Sequence, residues 1–159
     1  MRDEVREAVN KLERDGRFCM ERLYMQHGAV TVYEHSVRVA DFSLAVSRML
    51  GLNVDEKSLI RGALLHDYFL YDWHEKDISH RLHGFRHPKR ALRNAREDYA
   101  LNPVEENIIL RHMFPLTLHP PAYKESWLVC LADKYCAAAE TLHALAGRFK
   151  GKLRHSFGA

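Results

Sequence analysis

The chain has 159 residues, of which 47% are hydrophobic and 28% charged, proportions that suit one globular domain with a substantial core. Its 24 basic and 21 acidic residues leave a formal charge of +3, too small and too scattered a surplus for a dedicated nucleic-acid binder, so nucleic acid is not an expected partner. The opening MRDEVREAVNKLERD is charged and amphipathic, and no run approaches the ~20 apolar residues of a membrane span, so a cytoplasmic location is expected and membrane insertion is not.

Residues 3 to 26 predict a first helix or a broken pair, with Val5, Val9, Leu12, Phe18, Leu23 and Tyr24 as buried positions, Gly16 as the interruption and Gly28 as the stop. The three cysteines, Cys19, Cys130 and Cys136, are odd in number and lack CxxC spacing, which predicts reduced, buried thiols. A second helix follows from Thr31 to Leu50, capped by Thr31 and ended by Gly51. In it Val32, His35, Val39, Phe42 and Val46 recur at helical spacing, so His35 points to the core. Asn53 or Asp55 opens a third helix whose apolar Leu59, Ile60, Ala63 and Leu64 lead into His66-Asp67.

Residues 70 to 86 lack sustained periodicity and read as an irregular crossing, a natural lid, in which Trp73 joins Tyr68, Phe69 and Tyr71 as aromatics able to stack a base. Pro88 fits the first turn of a fourth helix and Pro103 that of a fifth, which sets His87 at a helix start and His112 near a helix end. A final helix from about Lys124 to Ala146 would bury Trp127, Leu128, Leu131, Tyr135, Ala138 and Leu142, with Asp133 amid that run. The tail 147–159 has no periodicity and is expected to be mobile at its end. The fold class is therefore all-α, a single-domain bundle of about six helices with its core at 30–146.

Imidazole and carboxylate are the side chains that bind hard or borderline divalent cations, and the series His35, His66-Asp67, His87, His112, Asp133 could converge inside such a bundle. At the end of a helix both members of the His66-Asp67 pair can reach one metal, and the two oxygens of Asp67 could bridge a pair of metals. A histidine on an apolar face is ordinarily a hydrogen-bonded core residue, but Asp67 and Asp133 would otherwise be carboxylates in apolar segments in need of partners.

The order of this series resembles the HD-domain superfamily of metal-dependent phosphohydrolases, an all-helical fold named for its His-Asp pair. The likeness covers roughly residues 30 to 140, and the segments HGFRHP, RHMFP and LADKYCA are similar to an uncharacterised bacterial branch. It implies a core metal held by His35, His66, Asp67 and Asp133, with His87 and His112 completing a binuclear site around Asp67. It also implies in-line attack on phosphorus by water that the metal activates.

The mixed donors suit one or two ions of Mn, Fe, Co, Ni or Mg better than Zn. Arg38 and Lys134 join Asp67 as candidate catalytic residues, since either could offer a cation to phosphate. His83 competes as a second-metal ligand, and Arg86 and Lys124 are further candidate phosphate contacts. Leu70 stands where single-metal nucleotidases of the family place a Glu and where the cyclic-dinucleotide branch places a Lys, and there is no GYP motif, so neither specific substrate is implied.

The expected partner is a small phosphorylated substrate, with nucleotides among the candidates. The alternative is an inactive regulatory module of the same fold that binds a metal or ligand. A purely structural helical protein is the third reading.

Overall fold

The computed structural model describes residues 1–27, 29–72 and 83–156, the side chains of 27, 83 and 148–156 excepted. Helix α1 (Asp3–Asp15) opens on Asp3 and Glu4, which suit the positive end of its dipole, and buries Val5, Val9 and Leu12. It ends at Gly16, where a Cβ would run into the ring of Tyr99, whose hydroxyl donates to the Leu12 carbonyl at 2.9 Å. A 3₁₀ helix (Phe18–Leu23) and two antiparallel strands, β1 (Met25–His27) and β2 (Val30–Thr31), follow. The break at Gly16 is the one the sequence marks, but the helical stretch stops at Leu23, which is exposed, and a strand pair replaces the helix end expected near Gly28.

Helix α2 (Val32–Met49) begins at a reciprocal cap: Thr31 accepts from the Glu34 amide while Glu34 accepts from the Thr31 amide. Gly51, at φ 62°, lets the chain leave it. Helix α3 (Glu56–Leu65) is capped by Asp55, and helix α5 (Pro103–Arg111) by Asn102, with Pro103 in its first turn. These four signals are all legible in the sequence. Between α3 and α5 the backbone of Gly62 lies against Ile108, whose Cβ would be 3.0 Å from any Cβ placed there. The core around Val39, Leu44, Leu59, Leu64, Ile108 and Val129 thus holds α2, α3, α5 and the last helix, α6 (Lys124–Ser156), together.

Three expectations are corrected. Helix α4 (His83–Asp98) starts five residues before Pro88, which occupies its second turn. There its missing N–H forgoes the bond to the Gly84 carbonyl, and its ring crowds that same carbonyl. Helix α6 (Lys124–Ser156) does not stop at Ala146: Gly147 and Gly151 each cost about 1 kcal/mol of helix propensity but leave the surrounding Lys, Arg, Leu and Phe free to continue. Its inner face is also rotated from the predicted one. Leu128, Val129, Ala132, Asp133, Cys136 and Glu140 are buried, whereas Trp127, Leu131, Tyr135, Ala138 and Leu142 are exposed. The stripe carrying Asp133 and Glu140 turns inward because both carboxylates bond His35, so polar chemistry outweighs the larger apolar stripe.

Trp73 and most of the expected lid lie outside the described residues, as does the side chain of His83. Tyr68 and Phe69 are buried in the body of the protein rather than free to stack a base, and Tyr71 lies under the guanidinium of Arg90. Of the cysteines, all free, Cys130 and Cys136 are buried as expected and Cys19 is exposed. No helix among the described residues is long and apolar enough to cross a membrane.

Candidate metal centre

His66 caps the C-terminus of α3, and the chain then turns through Asp67, Tyr68 and Phe69 to Leu70, which adopts a left-handed φ of 53°. Asn94 of α4 fastens this turn by donating to the carbonyls of Tyr68 (3.0 Å) and Phe69 (2.9 Å). Tyr68 reaches the other way, donating to Asp98, which is paired with Arg17. The turn that presents the His-Asp pair is therefore held from α4 and from the segment after α1.

The imidazoles around it are oriented by one device. A carbonyl oxygen only accepts, so the 2.7 Å contact between His66 Nδ1 and the Ala63 carbonyl puts a proton on Nδ1, which leaves Nε2 as the lone-pair nitrogen of the neutral ring. The same holds for His112, whose Nδ1 donates to the Ile109 carbonyl at 2.8 Å. His35 Nδ1 faces Glu140 Oε2 at 3.0 Å, and its Nε2 faces Asp133 Oδ1 at 3.0 Å. His87 Nε2 and His112 Nε2 point at each other across 2.8 Å.

These inward atoms form two adjoining groups. His35, His66 and Asp133 make one, and Asp67, His87 and His112 the other, with the ligand atoms of each group within 4.8 Å of one another. His66 Nε2 lies 3.4 Å from Asp67 Oδ2 and 3.6 Å from Asp133 Oδ1, so the two groups share a wall. Asp67 Oδ1 faces His87 Nε2 at 3.1 Å, while Gln26 of β1 donates to Asp67 Oδ2. His35, His66, Asp67 and His112 are essentially inaccessible to solvent.

The donor set fits a cation. Buried polar groups ordinarily make well-aligned hydrogen bonds, yet His66 Nε2 and Asp67 Oδ1 make none, their nearest polar neighbours at 3.1–3.6 Å being other members of the same cluster. The electrostatics agree. Burial alone would lower the pKa of His35, but the carboxylates of Asp133 and Glu140 outweigh it and raise it to about 9. Against the same burial, Asp67 and Asp133 raise His66 well above the ordinary histidine value. Burial pushes Asp67 and Asp133 up, but the neighbouring imidazoles hold both carboxyls well below the usual range. His112 goes the other way, to about 3, through burial and then repulsion from His66 and His87, and so stays neutral, the form that ligates metal. Clustered acceptors that otherwise draw in protons are suited to a divalent ion.

A cavity of about 290 Å³ opens onto this cluster, lined by Gln26, Asp67, His87, His112, Asp133 and Lys134 and, on its apolar side, by Met113, Pro115, Leu116 and Ala137. A family model described as HD domain matches residues 32–138, well over half of the chain. The chain belongs to the HD-domain family. No curated protein and no solved structure matches it. In this HD-domain chain the six residues picked out by the sequence series, His35, His66, Asp67, His87, His112 and Asp133, all meet at one place.

The candidate phosphate contacts do not gather so neatly. Lys134 lines the cavity, but its ammonium donates to the carbonyls of His112 (2.8 Å) and Cys130 (3.3 Å), closing the C-terminus of α5. Arg38 bonds Glu140 Oε1 at 3.1 Å and lines a separate surface cleft with Asp41 and Phe42. Arg86 and Lys124 are exposed and do not line the cavity.

Sequence reasoning missed Glu140, Gln26 and Glu21. Glu140 had a signal, since it stands seven residues after Asp133 on the same face of α6. Gln26 had none, because a strand of three residues carries no periodicity. Glu21 is buried close to His66 and Asp67, with neither oxygen in an aligned hydrogen bond, and burial pushes its carboxyl well above the usual range.

Proposed function

We propose that this HD-domain protein is a metal-dependent phosphohydrolase acting on a phosphomonoester or phosphodiester, with two divalent ions held by His35, His66, Asp67 and Asp133 and by Asp67, His87 and His112. The observation that carries the reading is the set of imidazole Nε2 atoms of His35, His66 and His112 turned inward by the contacts of Nδ1 on their far sides, with His66 Nε2 and Asp67 Oδ1 facing only other members of the cluster and making no aligned hydrogen bond. When bound, divalent ions would lower the pKa of water toward neutrality and neutralise phosphate charge. The chain's own residues fix the geometry for this. Ala63, Ile109 and Glu140 set the imidazole tautomers, Gln26 orients Asp67, and the apolar wall of Met113, Pro115 and Leu116 limits bulk water on one side of the cavity. Lys134, at the cavity edge, is the cation placed to meet a substrate phosphate if it exchanges its carbonyl partners.

The test is a screen of phosphomonoesters and phosphodiesters with Mn²⁺ supplied, comparing the wild type with Asp67→Ala. Turnover that is lost in the variant supports the reading, and a wild type inert toward both classes while fully loaded with metal contradicts it. One observation favours a second reading, a regulatory module without turnover: among the described residues, the one cation lining the cavity is already bonded to backbone.

A further inference from the structure

Helix α6 has two faces. One, through Val129, Asp133, Cys136 and Glu140, packs on the body of the protein and carries the site. Half a turn away, Leu131, Tyr135, Ala138, Leu142 and Leu145 recur at intervals of four, three, four and three residues, the spacing of a seam between paired helices, with Trp127 one turn before them. This seam is bare: Trp127 is 40% exposed, Leu131 60%, Tyr135 61%, Leu142 66% and Leu145 45%. Trp127 meets Phe114 edge-on and Tyr135 stacks on Phe42, which leaves most of the stripe open. From Thr141 to Gly147 every residue but the half-covered Ala144 is exposed, so the last turns of the helix run beyond the body. A helical extension of that length is marginal in water without tertiary packing.

We propose that this face pairs with a second copy of the chain, α6 against α6 antiparallel, about a twofold axis at Ala138. The argument for a second copy is that the seam is self-complementary. Reversed about position 138, Leu131 falls opposite the partner's Leu145 and Tyr135 falls one residue from the partner's Leu142, close enough for their side chains to meet across an isologous interface, and the small Ala138 lies at the crossing where the backbones come closest. The bare area of these side chains is on the order of 500 Å² per chain, so two copies would cover roughly 1,000 Å², the lower limit for a specific interface. The pairing would also brace the helix that carries Asp133 and Glu140.

Sedimentation velocity tests it without reference to turnover. The wild type sediments at twice 18.5 kDa, and Leu142→Glu or Leu145→Lys halves that mass while the circular dichroism spectrum and metal content are unchanged. Two exposed positions are altered separately so that misfolding of one variant leaves the other to decide. For the antiparallel register, in a Cys19→Ser background, Leu131→Cys mixed with Leu145→Cys forms a disulfide on oxidation, while neither does so alone. A wild type that stays at 18.5 kDa at all concentrations, or a dimer that survives both charged substitutions, overturns the proposal. Cross-linking of Leu131→Cys with itself overturns the antiparallel arrangement.

Discussion

Glu140→Gln isolates what a single charge behind the site contributes. Glu140 is 5% exposed, with Oε2 at 3.0 Å from His35 Nδ1 and Oε1 at 3.1 Å from Arg38. Glutamine keeps the size and an oxygen that can accept from Nδ1–H, so the hydrogen bond survives and only the charge is removed. Across the width of an imidazole, that charge lies ~7 Å from a cation at Nε2, where each unit of charge on the ion is worth about 2 kcal/mol at an effective dielectric constant of 20; the proton that a divalent ion displaces from His35 already carries one such unit, which leaves about 2 kcal/mol for the metal. That corresponds to a loss of roughly 30-fold in metal affinity, within the 10- to 100-fold range typical of groups that orient a metal's histidine ligands. Isothermal titration of metal-free protein with Mn²⁺ should show this loss at the His35–His66–Asp133 group and little change at the other. Arg38→Met, which removes a half-exposed partner of the same carboxylate, should shift affinity less than about threefold. An E140Q affinity within threefold of the wild type would refute the reasoning.

Three further outcomes are expected. In metal-free protein the raised pKa of His35 means that its pairing with Asp133 and Glu140 stabilises the fold fully below about pH 6.5, and this is lost as pH rises through about 9. The melting temperature of the metal-free wild type should therefore fall over that window and that of His35→Asn should not. With Mn²⁺ bound, stability should rise as pH increases from 5 to 7 because neutral imidazole is the ligand. Asn94→Ala strips two buried carbonyls of their donor and should cost about 2 kcal/mol in urea unfolding, with metal affinity also reduced; an unchanged midpoint would show that the 66–70 turn holds itself. Gly62→Val drives a side chain into Ile108 and should destabilise by about 3 kcal/mol, detectable by calorimetry as a lower melting temperature.

The convergence of the His and Asp series was legible in the sequence because metal chemistry admits few residue types and the helix signals around them are strong: Thr31, Asp55 and Pro103 all mark starts that the fold uses, to which the structure adds Glu34 and Asn102. What failed did so for identifiable reasons. Counting apolar positions chose the wrong face of α6 because the buried stripe is defined by Asp133 and Glu140, polar residues that hydropathy places outside. Pro88 misplaced the start of α4 because proline ordinarily marks a first turn, whereas here it sits in the second turn and the helix continues despite the lost bond to Gly84. Gln26 reaches the site from a short strand and Glu21 lies behind it on a 3₁₀ helix, elements too brief to leave a periodic trace.

The central claim is that these six side chains hold metal, and elemental analysis of the purified protein and of Asp67→Ala after Mn²⁺ loading tests it most directly. The account predicts about two ions per chain in the wild type and loss of both, or of all but a weakly held one, when the shared carboxylate is removed. A wild type that takes up no metal, or an Asp67→Ala variant that retains the full complement, would contradict it.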